Sequence, residues 1–243
     1  MKYAIVSNIH GNYSALQAAV HEFSELKVDK IICLGGIVGY GPNPIECIEL
    51  LEEIDAVCIK GDFEVIATNK GSNEYHAAHY FGQTMEWTRK TLKPKHLAFL
   101  SSLPFDYKEK RARFAYHLKI NEDDRKFLED TNEAKMAFDS FEEKIQCYGS
   151  GMNPSIIIQN NENDIFWSKS LKCNTNEHPK AIVGVGSVGK PRDRNPKPSY
   201  AVYDSECGTI SIERFEYDVA KTQREMLQKG FPDFLIQMLG MGR

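Results

Sequence analysis

Three short apolar runs, each followed by a polar or glycine-bearing loop, constrain the fold of this chain most strongly. The runs cover residues 2–6, 31–34 and 56–59. Apolar residues at helical spacing follow the first run, and Pro44 after the second is typical of the first turn of a helix. Strands that alternate with helices predict an α/β fold. Because such folds bind ligands at the carboxyl ends of their strands, we expect the functional site in these loops.

The remainder of the chain predicts further helices and a second sheet. Residues 83–93 and 94–101 are predicted to be helical, and residues 113–117 to form a fourth strand. Residues 121–144 are charged and poorly periodic, which favours a solvated surface segment. The strands of the second sheet are predicted at residues 156–158, 165–167, 181–183, 200–203 and 209–212, with closing helices at 223–229 and 232–239.

The size and charge of the chain are typical of one domain without a preference for polyanions. Its 243 residues, 42% of them apolar, can bury the core of a single domain over residues 1–243. Because 30 Lys and Arg residues stand against 34 Asp and Glu residues, we expect neither nucleic acid nor a membrane as a partner. The six cysteines occur singly and no apolar stretch approaches about 20 residues, so a reduced, cytoplasmic protein is predicted.

Four motifs occur in an order that is typical of one known family. They are Ser7-Asn8-Ile9-His10-Gly11-Asn12, Gly35-Gly36-Ile37-Val38-Gly39-Tyr40-Gly41-Pro42, Gly61-Asp62-Phe63-Glu64, and Gly186-Ser187-Val188-Gly189-Lys190-Pro191-Arg192-Asp193 followed by Ser199-Tyr200-Ala201-Val202. In this order they resemble the calcineurin-like metallophosphoesterases, and the fourth is similar to the closing motif of the small bacterial and archaeal phosphodiesterase branch. The resemblance implies an α/β fold with a two-sheet mixed β sandwich, flanked by helices in four layers.

The resemblance also implies a site for two divalent metal ions on loops at the sheet edges. In the family, the ions share a carboxylate and a hydroxide, lower the pKa of bound water and bind a phosphoryl oxygen during in-line attack. Carboxylates and imidazoles provide the charge and the affinity that such ions require.

Several of the family's positions carry other residues in this chain. Its Asp-x-His pair corresponds to Asn8 and His10, so a neutral amide replaces a carboxylate. Gly36 stands at the position of the carboxylate that bridges both metals. Asp62 matches a ligand position, whereas Phe63 replaces the catalytic histidine and cannot transfer a proton.

Two later motifs continue this pattern. His117 matches the next family ligand, but Ser150 and Met152 align with both imidazoles of a Gly-His-Thr-His motif. Neither side chain suits a hard divalent ion. The resemblance therefore implies vestigial metal positions and no catalytic residue.

Two interpretations of the surviving ligands stay open. In the first, no metal binds and no cofactor is needed. In the second, His10, Asp62 and His117 form a two-histidine, one-carboxylate site for one divalent Mn, Fe or Zn ion. His76 and His79 also have ligand-like spacing on a predicted helix, although a polar helix face is the simpler interpretation.

The fourth motif also predicts an anion-binding site. Ser187, Arg192 and neighbouring backbone N–H groups are suited to hold a phosphate or another anion. The alternative for Arg192 is an ordinary ion pair with a surface acid.

The preferred functional hypothesis is a metallophosphoesterase-fold protein that has lost di-metal catalysis and acts as a non-catalytic binding or regulatory protein. Its candidate partners are a phosphorylated small molecule, a nucleotide or another protein. The alternative is a metal-dependent phosphoesterase or phosphodiesterase with an atypical, mononuclear site. A structural subunit of an assembly is a third hypothesis.

Overall fold

The computed structural model describes residues 1–69, 79–120, 123–125, 128 and 130–243. The strands are β1 (Lys2–Val6), β2 (Lys30–Cys33), β3 (Val57–Cys58), β4 (Asp106–Glu109), β5 (Ala112–Ala115), β6 (Leu118–Ile120), β7 (Asp123–Arg125), β8 (Ile145–Tyr148), β9 (Pro154–Gln159), β10 (Ile165–Trp167), β11 (Lys172–Asn174), β12 (Lys180–Val185), β13 (Ser199–Asp204) and β14 (Thr209–Arg214). The helices are α1 (Tyr13–Glu25), α2 (Pro44–Glu53), α3 (Asp62–Thr68), α4 (His79–Thr91), α5 (Pro94–Ser102), α6 (Thr131–Asp139), α7 (Val219–Gln228) and α8 (Asp233–Met241).

These strands form two mixed sheets of six strands and one small hairpin. The first sheet has the order β11-β14-β13-β1-β2-β3, and the second has the order β10-β9-β12-β8-β5-β4. Strands β1, β2 and β3 run parallel in the first sheet, and β5, β8 and β12 run parallel in the second. Strands β6 and β7 form a separate antiparallel pair.

The alternation of side chains along β1 shows how the layers are stacked. Ile5 lies in the core between the two sheets together with Phe114 and Val183. Val6 faces the opposite way, into a second core that contains Leu16 of α1. Successive residues of a strand point to opposite faces of the sheet, so β1 is covered on both sides.

Helix α6 covers the outer face of the second sheet. Phe138 of this helix packs with Ile157 of β9 and Ile182 of β12. The order of layers is therefore helices, sheet, sheet and helix. The predicted α/β fold with two sheets flanked by helices is confirmed.

The prediction that residues 200–203 and 209–212 belong to the second sheet is wrong. They form β13 and β14, which lie in the first sheet because β13 pairs antiparallel with β1. This pairing joins segments from opposite ends of the sequence, and the pattern of a strand does not specify so distant a partner.

The prediction of a solvated surface segment over residues 121–144 is also wrong. Helix α6 lies inside this range and buries Ala134, Ala137 and Phe138. These residues have the i, i+3, i+4 spacing of one helix face, but the helix is only nine residues long. Charged residues on both sides obscured so short a pattern.

Two smaller differences concern the region around α3 and α4. Helix α3 begins at Asp62, directly after the third strand, where a loop was expected. Helix α4 begins at His79 and not at residue 83. The candidate ligand His76 lies outside the described residues, as does the side chain of His79. Within the described ranges, none of the helices combines the length and the apolar character that crossing a bilayer would require.

The N-terminus of α6 provides a test of this part of the fold. The Asp130 side chain accepts hydrogen bonds from the backbone N–H groups of Asn132 and Glu133. We expect Asp130→Ala to lower the free energy of unfolding by about 1 kcal/mol, because two N–H groups lose their partner. Urea denaturation should show this loss, whereas Asp130→Asn, which keeps an acceptor oxygen, should change stability little. Equal losses in both variants would contradict the capping role.

Candidate functional site

The loops that follow six parallel strands meet at one end of the sandwich. Three of them follow β1, β2 and β3 of the first sheet, and three follow β5, β8 and β12 of the second. Hydrogen bonds from Asn8 to Gly149 and Gly186 join the two sets of loops. The residues matched to the family's motifs lie in these loops or directly after them.

The side chain of Asn8 is the central connection of the site. Its Nδ2 donates to the carbonyl oxygens of Gly149 at 2.6 Å and Gly186 at 3.1 Å. Its Oδ1 accepts from the hydroxyl of Tyr116 at 3.2 Å. Asn8 is completely buried. Both of its N–H donors are therefore used inside the protein, which a carboxylate at this position could not reproduce.

The backbone of these loops is held in an uncommon conformation. The φ angles are 53° at Asn8, 51° at His10, 54° at Tyr40 and 55° at Met152. The left-handed region costs a residue other than glycine on the order of 1 kcal/mol or more. Backbone hydrogen bonds between loops, such as that from His10 N–H to the Gly36 carbonyl at 2.7 Å, hold the conformation in place.

The position of Gly36 has no space for a side chain. Its φ angle is 69°. A Cβ atom there would lie 2.8 Å from Oδ1 and 2.9 Å from Cα of Asn8. Any larger residue would therefore have to push the Asn8 loop away.

The carboxylate of Glu64 holds the second and third loops together. Its Oε2 accepts from the N–H groups of Gly36 at 2.9 Å and Gly61 at 2.8 Å, and its Oε1 accepts from that of Ile37 at 2.7 Å. Burial raises the pKa of this carboxyl group, while the backbone N–H groups lower it. Glu64 is thus a structural anchor of the two loops.

Phe63 belongs to a cluster of aromatic rings and not to a polar site. Its ring centroid lies 4.5 Å from that of His10, 5.5 Å from that of Tyr40 and 5.3 Å from that of Phe81. His10 also meets Tyr40 edge to face at 5.2 Å. Apolar packing therefore occupies the position at which the resemblance implied a catalytic imidazole.

His10 is buried and uncharged at neutral pH. Burial lowers its pKa to about 3, and the positive charge of Arg192 adds to this shift. Its Nδ1 lies 3.4 Å from the carbonyl oxygen of Val38, and its buried Nε2 has no hydrogen-bond partner among the residues that the structure describes.

Asp62 and His117 are the two predicted ligands that the fold brings together. Oδ1 of Asp62 lies 2.6 Å from Nε2 of His117. The buried Nδ1 of His117 has no hydrogen-bond partner within the described ranges. The two residues connect the loops after β3 and β5, one from each sheet.

Ser150 and Met152 lie in the loop after β8. The N–H of Ser150 donates to the carbonyl oxygen of Tyr116 at 2.8 Å. Met152 has the positive φ already described and is partly buried. The backbone of this loop thus contributes hydrogen bonds where the family motif contributes imidazoles.

The fourth motif places its two candidate residues in different surroundings. The hydroxyl of Ser187 donates to the carbonyl oxygen of Asn8 at 3.0 Å and accepts from the N–H of Lys190 at 2.9 Å. Arg192 is exposed, and its guanidinium donates to the hydroxyl of Tyr40 at 3.1 Å. Arg192 is therefore accessible to solvent, whereas Ser187 stabilises the loop after β12 from inside the protein.

Comparison with known proteins identifies the family. A sequence model of the calcineurin-like phosphoesterases matches residues 1–196. The chain belongs to this family. It is 30% identical over 248 residues to an uncharacterized protein of Methanocaldococcus jannaschii, with 99% of this chain and 98% of the relative covered.

Solved structures agree with the assignment to the calcineurin-like phosphoesterases. A metallophosphoesterase from Sphaerobacter thermophilus is 27% identical and superposes with a TM-score of 0.86 over 100% of both chains. A hypothetical protein from Pyrococcus horikoshii OT3, at 22% identity, shares the fold with a TM-score of 0.83 over 100% of this chain and 98% of its own.

The residues at the metal positions of this calcineurin-like phosphoesterase do not fit a pair of divalent ions. Asn8 donates to carbonyl groups, Gly36 has no ligand atom, and Phe63 is apolar. Within the described part of the chain, no group of three or more His, Cys, Asp or Glu side chains could hold a metal ion. His10 accordingly does not join Asp62 and His117 in one cluster.

Sequence reasoning missed three residues that shape the site. Tyr116 binds the Asn8 amide, Tyr40 packs between His10 and Arg192, and Lys190 lies buried beside them. Tyr40 and Lys190 lie inside the quoted motifs, so position in a motif was the available signal. No pattern in the sequence marks Tyr116.

The Asn8 amide can be tested by replacing it with the family's carboxylate. We expect Asn8→Asp to lower the free energy of unfolding by about 3 kcal/mol, because two buried carbonyl groups lose their donors and face a negative charge. Urea denaturation in the presence of EDTA measures this loss of stability. The control, Asn132→Asp, lies on the exposed first turn of α6 and should change stability by less than about 0.5 kcal/mol. Unchanged stability of Asn8→Asp would contradict the role of the amide.

Glu64 can be tested by removing one acceptor atom. In Glu64→Gln, the amide nitrogen would point its hydrogens at backbone N–H groups, so we expect a loss of about 3 kcal/mol in the free energy of unfolding. Thermal and urea denaturation should both report the loss. The exposed Glu53→Gln provides a matched control without buried partners. A Glu64→Gln variant as stable as this control would show that the loops do not depend on the carboxylate.

Proposed function

We propose that this chain is a calcineurin-like phosphoesterase that no longer catalyses di-metal phosphoester hydrolysis and that acts as a binding or regulatory protein. The Asn8 amide is the observation that carries the proposal. It donates to two loop carbonyls at the position where the family supplies an anionic metal ligand. A residue that must donate hydrogen bonds cannot at the same time provide the charge that two divalent ions require.

Two further positions support this proposal independently. The bridging carboxylate is replaced by Gly36, whose neighbours leave no space for a side chain. The catalytic imidazole is replaced by Phe63, which packs against other rings. Restoring the family's residue at one of the three positions, Asn8, Gly36 or Phe63, leaves the other two replacements in place.

The preserved loops support a binding role. The strained turns and the hydrogen bonds between loops keep the pocket in shape although its ligands are gone. A phosphorylated small molecule or a nucleotide is the proposed partner, and another protein is the second candidate. Since all six cysteines are unpaired, we place this activity in the cytoplasm, where thiols stay reduced.

The contact between Asp62 and His117 favours a second candidate function. A carboxylate and an imidazole at 2.6 Å, with His117 Nδ1 unpartnered, could contribute two ligands to one divalent ion. In this case the protein would be a phosphoesterase with an atypical mononuclear centre.

Metal analysis and an assay on the same preparations distinguish these functions. The protein is grown with added manganese and purified, its metal content is measured, and hydrolysis of bis(p-nitrophenyl) phosphate is followed with Mn²⁺ present. We expect substoichiometric metal and no turnover above the blank. Stoichiometric metal that is lost in Asp62→Asn and His117→Gln, but kept in the exposed control His21→Gln, would establish the mononuclear alternative.

The single variant Gly36→Asp tests whether the bridging carboxylate alone restores activity. We expect no diesterase turnover from it, because a carboxylate at this position lacks both its partner ligands and the catalytic imidazole. We also expect lower thermal stability, since the new Cβ would approach Asn8 within 2.8 Å. Appreciable turnover in this variant would show that the site has been misinterpreted.

A further inference from the structure

We propose that Lys190 and Arg192 bind the oxyanion of a small ligand, a phosphate ester or a carboxylate, whose apolar part enters the cavity beneath α7 and α8. The inference specifies the ligand class for the proposed binding function and rests on it. Neither cation stands at a position where the family holds its metal ions.

Within the described part of the chain, the two cations lack acidic side-chain partners. Lys190 is 6% exposed, and its Nζ donates at 3.1 Å to a main-chain oxygen of Arg243, the last residue of the sequence, where this oxygen belongs to a carboxylate group. An ammonium group has three donors, so two remain for a ligand. Among the described residues, no carboxylate side chain lies within ion-pair distance of Lys190 or Arg192. The neighbouring Asp193 is paired with Arg214 instead.

Both cations lie over the same aromatic ring. The Tyr40 ring centroid is 5.0 Å from Lys190 Nζ and 5.6 Å from Arg192 Cζ. The two positive charges repel each other through this shared surrounding, and Lys190 is also buried. Burial and the charge of Arg192 accordingly lower the pKa of Lys190 to about 8. An oxyanion bound by both groups would remove this repulsion, and a guanidinium matches the two oxygens of such a group.

A small cavity that Lys190 helps to line indicates the rest of the ligand. Its volume is about 20 Å³, enough for one or two small groups. His10 lines it, and in the described part of the chain the buried Nε2 of His10 has no hydrogen-bond partner. Because Nδ1 faces the Val38 carbonyl, Nε2 is suited to accept a hydrogen bond. The opposite wall is apolar and consists of Met226, Leu235 and Leu239.

Calorimetric titration of the whole, EDTA-treated protein tests the inference. The probes are inorganic phosphate, methyl phosphate and propionate, measured separately. We expect saturable binding of at least one oxyanion without added metal. Lys190→Met and Arg192→Gln should each raise its Kd about tenfold or more, because each removes a charged partner. Arg194→Gln, an exposed neighbour in the same segment, should leave the Kd unchanged.

The possible results separate the two proposals. Tighter binding of methyl phosphate indicates a phosphate ester as ligand, and tighter binding of propionate indicates a carboxylate. No binding, or equal Kd values in wild type, Lys190→Met and Arg192→Gln, would overturn the inference and leave the proposed loss of catalysis untouched. Hydrolysis of methyl phosphate with the expected variant effects would overturn that loss and support the cation pair. If Lys190→Met does not fold, the exposed Arg192→Gln decides the question.

Discussion

The hydrogen bonds of one buried amide connect the two halves of this molecule at its functional end. Asn8 follows the first strand of one sheet, and the carbonyls of Gly149 and Gly186 follow strands of the other. In a metallophosphoesterase site, ions that bind ligands from several loops make this kind of connection. Here a neutral side chain makes it, so the loops stay together without bound charge. Asn8 lies very close to Gly36. Because of this contact, position 36 has no space for a side chain and its backbone adopts a positive φ.

Both the charges and the hydrogen bonds of the site differ from the family's pattern. Glu64 is surrounded by backbone N–H groups and is fully buried, so its negative charge is directed into the protein and not toward a ligand. The positive charge beside the Tyr40 ring belongs to Lys190 and Arg192. Under the proposed function, these side-chain cations bind an anion and do not activate water.

The sequence predicted the fold class and the location of the site better than the contacts within it. Short runs such as residues 31–34 and the glycine-bearing loops were sufficient to place the site at strand ends. The sheet that contains β13 was mispredicted, because its pairing with β1 is decided by packing between distant segments. Asp62 and His117 were both selected, yet only coordinates show that they meet while His10 does not join them. The role of Lys190 depends on its burial, and the burial of a single lysine cannot be predicted from the sequence alone.

The insertion of β13 beside β1 has a consequence for the order in which the chain folds. The register pairs Lys2 with Asp204, so the N-terminal strand lies between β2, which is close in sequence, and β13, which is far away. Closing so long a loop carries an entropic cost before the new contacts form, and folds with many distant contacts form slowly. During synthesis, one edge of β1 therefore stays unpaired until residues 199–204 have left the ribosome. The Asn8 loop is made long before Gly149 and Gly186, the two residues whose carbonyl groups complete its hydrogen bonds.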